Sequence, residues 1–106
     1  MLLGNMLSQV DFPGSAELLQ QVSSVNVVAG PVTMLDFQLV APAPVSSLRD
    51  GPAPLSAIVS DAEGTSVGEL LVWVENGYLH GLEFAWWSDN PPEQLPSPEQ
   101  VRVVRT

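Results

Sequence analysis

The sequence predicts an α+β fold, with one N-terminal helix packed on one face of an antiparallel sheet of five or six strands. Three observations predict it: apolar residues at helical spacing near the start, a period-2 run in the middle, and an Asn-Gly dipeptide between two β-rich runs. The chain is 106 residues long, which suits a single domain spanning 1–106. Residues 1–10 are apolar but interrupted by Gly4 and Asn5, and are expected to be flexible or a short helical turn. Pro13-Gly14 signals a turn. Ser15 is then expected to cap a helix over Ser15–Ser23, with Glu17 favourable in its first turn. Leu18, Leu19 and Val22 form the inward stripe of that helix, and Gln20, Gln21 and Ser23 face away.

From Val25 the residues become β-branched. Val25–Ala29 reads as a strand ended by Gly30-Pro31. Leu35, Phe37, Leu39 and Ala41 alternate with Met34, Asp36, Gln38 and Val40, the pattern of a strand with one apolar face. Residues 42–54 hold four prolines and are expected to be a long loop. Leu55–Ser60 is the next strand, and Asp61–Gly64 a turn. Asn76-Gly77 then joins Glu69–Glu75 to Tyr78–Trp87, as a hairpin with a two-residue turn does. The Pro-rich residues 88–99 form a second loop, and Val101–Val104 a last strand.

A regular ladder from that turn sets Glu75 opposite Tyr78, Trp73 opposite His80, Leu71 opposite Leu82 and Glu69 opposite Phe84. One face then carries Trp73, Glu75, Tyr78, His80, Phe84 and Trp86. The other carries Leu70, Val72, Val74, Leu79 and Glu83, and receives the helix. A bulge would shift this register and move partners across the sheet. In the regular register Glu83 is expected near a sheet edge, or against Arg102 or Arg105. The aromatic face can be covered by the Pro-rich loops, by curling of the sheet, by a second copy of the chain, or by a ligand or another protein.

Composition narrows the function. The chain has 12 acidic residues, three Arg, no Lys and one His, for a net charge of −9. Such a surface repels phosphate, which excludes ordinary nucleic-acid binding and disfavours anionic membranes. No apolar run approaches the roughly 18 residues that span a bilayer. With zero Cys there is no disulfide or thiolate metal site, and one His makes no multi-His site. No Walker loop, G-x-G-x-x-G or G-x-S-x-G motif occurs, and Asp61, Glu63 and Gly64 lack the spacing of a calcium loop. No cofactor is expected, and the chain is expected to be cytoplasmic.

Three functions follow as expectations. The first is a non-catalytic protein–protein interaction domain, a homodimeric acidic accessory or immunity-type protein that masks a basic partner surface. The second is a small-ligand binding protein whose aromatic pocket is lined by Trp73, Tyr78, Phe84 and Trp86, with His80 and Glu75 supplying polarity. The third is an enzyme that uses His80 with Glu69 or Glu75 as a general base.

Val10-Asp11-Phe12-Pro13-Gly14-Ser15-Ala16-Glu17-Leu18, Asn76-Gly77-Tyr78-Leu79-His80-Gly81-Leu82-Glu83, and Asp89-Asn90-Pro91-Pro92 followed by Leu95-Pro96 carry a resemblance. They resemble a group of short, acidic, uncharacterised actinobacterial proteins with a D-F-P-G-x-x-E-L helix start, a D-G-Y-L-x-x-L-E hairpin and a Pro-rich C-terminal stretch. The likeness spans roughly residues 10–104. Many of those proteins carry a C-x-C-G-C-P segment where this chain has Ala29–Met34, so no metal or redox role of those cysteines carries over. The resemblance implies a bacterial host and a shared fold, and no activity.

Overall fold

The computed structural model describes residues 2–106. It is α+β. The elements are α1 (Leu2–Ser8), α2 (Ser15–Gln21), β1 (Val25–Ala29), β2 (Met34–Leu39), β3 (Gly51–Pro52), β4 (Leu55–Ser60), β5 (Ser66–Glu75), β6 (Tyr78–Trp86) and β7 (Val101–Arg105). All strand pairs are antiparallel, in the order β1-β2-β6-β5-β4-β7, and β3 pairs with β5. β3 is a two-residue strand inside the expected loop. It precedes β4 along the same partner strand, and Pro54 between them lacks the N–H that would continue the ladder.

Burial alternates strictly along β4 and β5, so one face of the sheet is sealed and the other is not. The sealed face gathers Leu70, Val72, Val74, Leu79, Leu82 and Phe84 with Leu3, Met6 and Leu7 of α1 and Leu18 of α2. Both helices are only seven residues long. Helices this short have marginal stability alone, so their packing on the sheet is what holds them.

The N-terminal expectations need two corrections. Ser15 is the first helical residue and not the cap. Gly14 holds the capping position with φ +94°, while Ser15 Oγ accepts the Phe12 N–H at 3.1 Å. The helix is also rotated from the expected stripe. Leu19 is exposed and Gln21 is wholly buried, with 0% exposure. Gln21 is tolerated inside because every polar atom of its side chain is used. Its Nε2 donates to Pro44 O at 2.8 Å and to Gly77 O at 2.9 Å, and its Oε1 accepts the Leu79 N–H at 2.8 Å. The Pro-rich loop thereby lies against the hairpin turn. Ser46 completes the tie: its N–H donates to Gly77 O at 2.9 Å and its Oγ donates to Gly14 O at 2.8 Å.

The second loop is anchored by Ser97 and Gln100. Ser97 and Gln100 form a capping box around a short 3-10 turn, and Gln100 Nε2 reaches Ser60 O at 3.2 Å. That turn feeds directly into β7.

Candidate functional site

The turn of the β5–β6 hairpin is as expected. Asn76 and Gly77 both have positive φ, +54° and +82°, which is the two-residue type I′ geometry. The register beyond it is not. Glu75 pairs with Tyr78 and Val74 with Leu79, but Trp73 pairs with Gly81, leaving His80 as an extra residue. This β-bulge shifts every later pair by one position: Val72 meets Leu82, Leu71 meets Glu83, and Leu70 meets Phe84.

The shift redistributes the candidate residues. Phe84 enters the sealed core and is nearly inaccessible. Trp86 pairs with Gly68 in phase with Phe84 and stays exposed at the end of the strand. Glu83 crosses to the open face, where its Oε1 accepts Trp73 Nε1–H at 3.0 Å. That replaces the expected pairing with Arg102 or Arg105, and β6 is an internal strand and not an edge. Trp73, Tyr78, Glu75 and His80 remain together near the hairpin end of the open face.

His80 Nδ1 lies 3.1 Å from Glu75 Oε2, with the two side chains 53% and 52% exposed. A pair this open is well solvated and weakly coupled. His80→Ala is expected to change stability by no more than about 0.5 kcal/mol, as read by urea titration at low and high salt. Glu69 is engaged elsewhere: its Oε2 accepts Ser56 Oγ–H at 3.4 Å. The expected carboxylate–imidazole arrangement therefore consists of His80 and Glu75 at the surface, away from Glu69. Asp61 Oδ1 accepts the N–H groups of Glu63 and Thr65, so this carboxylate closes a turn. Among the described residues, no group of three or more His, Asp or Glu side chains is placed to hold a metal ion.

The open face extends well beyond the aromatics. Arg102 pairs with Ile58, Ile58 with Glu69 and Glu69 with Ala85. The next row runs Met34, Glu83, Leu71. Trp73 stands opposite Gly81, which in turn pairs with Asp36. Apolar side chains and carboxylates are thus interleaved across β2, β6, β5 and β4, with one Arg at the β7 margin. Both helices lie on the opposite side.

An apolar pocket of about 180 Å³ does exist, but on the helix side. Leu3, Val22, Val25, Leu35, Phe37 and Leu82 contribute to its walls. None of Trp73, Tyr78, Phe84 or Trp86 lines it. The residues that sequence reasoning missed are Gln21 and Ser46, which tie the loop to the hairpin, and the Trp73–Glu83 bond. A polar side chain facing a core gives no periodic signal, and the Trp73–Glu83 bond depends on a bulge that the turn does not announce.

No helix among the described residues is long and apolar enough to cross a membrane. No family model matches the chain, and neither does any curated protein or any solved structure.

Proposed function

We propose that this chain is a non-catalytic binding domain that presents the open face of its sheet to a basic protein surface. The observation that carries the reading is the composition of that face. Leu71, Trp73, Ile58 and Met34 alternate with Asp36, Glu69 and Glu83, and neither helix covers them. A flat surface mixing apolar anchors with carboxylates suits a partner that offers apolar ground between Lys and Arg. The net charge of −9 adds long-range attraction to such a partner and repels nucleic acid and acidic surfaces. Stacking two copies through this face would set carboxylates against carboxylates, which disfavours self-association there. An accessory or immunity-type protein that occludes a basic working surface is one concrete form of the reading.

The test is affinity recovery from a lysate of the encoding organism, with wild-type bait and a Trp73→Ala/Glu69→Gln bait in parallel. A basic protein retained by wild type at low salt should be released by high salt. Its affinity for the doubly substituted bait should fall by about 30-fold, as for loss of a central aromatic anchor. Recovery of nothing at low salt, or equal retention by both baits, would sink the reading.

A further inference from the structure

Charge is distributed very unevenly along this chain. Residues 18–48 contain a single charged side chain, Asp36, although the whole chain has twelve acidic residues and three Arg. The same segment holds seven of the eleven large apolar residues that are exposed among the described residues. Val27 and Val28, at 56% and 53% exposure, both lie on β1, and Val40 and Val45 are as exposed in the stretch that follows β2.

β1 is an outer strand of the sheet. Val40 N–H donates to Ser24 O at 2.8 Å, and Val25 pairs with Leu39, Asn26 with Gln38 and Val27 with Phe37. In an antiparallel ladder, bonded and non-bonded pairs alternate, so Asn26 bonds inward and Val27 turns its N–H and C=O to the free edge. The opposite edge, β7, is different. Arg102 and Arg105 are exposed on it, and charged side chains on an edge discourage strand addition. β1 has no such guard. Its bulge, which leaves Val28 unpaired between Val27 and Ala29, disturbs only the far half of the strand.

We infer that β1 is a self-association edge, at which a second copy of this chain adds its own β1 antiparallel across a two-fold axis. The neutral character of the segment identifies the occupant. Two copies each carrying −9 repel least where neither presents charge, and β1 itself carries none; the single charged residue of its partner strand, Asp36, stands one strand further in, opposite Ala29. A neutral edge offers nothing to select a charged partner, whereas an antiparallel strand paired with itself is self-complementary in hydrogen bonds and in apolar side chains. Such a contact closes at two copies and does not propagate. It leaves the open face of the sheet free, so it is independent of the basic-partner reading.

Sedimentation equilibrium over a wide concentration range tests it, on wild type, Val27→Lys and Val104→Lys. Wild type should show a reversible monomer–dimer equilibrium. Val27→Lys should weaken it by roughly 100-fold, because two valines lose burial and two ammonium groups meet near the axis. Val104→Lys makes the same charge change on β7 and should leave the dimer intact. A monomer at every concentration, or a dimer that Val27→Lys leaves unchanged or that Val104→Lys weakens equally, overturns the inference. Amide exchange of wild type gives a second readout that needs no variant. Protection of the Val27 N–H should rise with protein concentration, and protection that stays constant overturns the inference.

Discussion

Gln21→Leu is expected to destabilise the fold by about 2–5 kcal/mol, a large share of the roughly 5–15 kcal/mol that holds a domain together. The substitution conserves volume approximately, so the loss is one of hydrogen bonds and not of packing. Gly77 O keeps the Ser46 N–H as a donor, but Pro44 O and the Leu79 N–H lose their Gln21 partners. The buried Leu79 N–H costs about 1–3 kcal/mol when orphaned, and the part-buried Pro44 O adds a smaller loss. The thermal midpoint should fall by roughly 10 °C or more, followed by circular dichroism. Amide exchange would localise the damage, since the Leu79 N–H should lose protection before the neighbouring strand amides do. A loss below about 1 kcal/mol would mean that water replaces the clamp and that the loop sits loosely on the hairpin. Gln21→Glu is a sharper variant of the same test. A carboxylate there faces two carbonyl oxygens, so its pKa must rise on folding, and the folded state binds a proton that the unfolded state releases. Stability of that variant should therefore increase as the pH is lowered toward the acid range, until other carboxylates protonate.

Gly77→Ala is expected to cost about 3 kcal/mol or more, and Gly64→Ala only about 1 kcal/mol, although the two glycines share nearly the same backbone angle. Their φ values are +82° and +84°, so the intrinsic strain of placing a Cβ there is alike, at about 1–2 kcal/mol. The surroundings differ. A Cβ on Gly77 would lie 2.3 Å from Val45 Cγ2 and 2.6 Å from Ser46 O, while nothing lies within 4 Å of one on Gly64. The difference between the two variants thus isolates how firmly the Pro-rich loop presses on the hairpin turn. Urea denaturation of both proteins, analysed with a common slope, measures it. Equal losses would show that the loop gives way to a methyl group without resistance.

The sequence announces most of this fold through local signals. The period-2 run that becomes β2, the Asn76-Gly77 turn and the β-branched run at β1 need no long-range information. Gln21 is a different case. Periodicity assigns a polar residue on a short helix to solvent, and only partners 23 to 58 positions away explain its burial. The second helix, α1, rests on Leu3, Met6 and Leu7, whose spacing is helical but too short to be decisive before a sheet is there to receive it. At the site, the turn was legible and the faces were not. The clue is present in Leu79-His80-Gly81-Leu82, where the inward residues stand three apart and not two. A single skipped step has too little contrast against ordinary strand irregularity to fix a register, yet it decides whether Phe84 or Glu83 faces the helices.

That extra residue gives β6 the character of a reading frame. Residues before His80 and residues after it are each in correct phase with β5, but not with one another, and the insertion is what reconciles them. Changing the letter at position 80 alters a solvated side chain and little else. Removing it would shift the frame. Either Tyr78 and Leu79 must exchange sides of the sheet, or Leu82, Phe84 and Trp86 must leave the core side while Glu83 enters it. The position is therefore free in identity and fixed in number, so sequence drift in this strand is open to substitution at His80 and closed to its deletion.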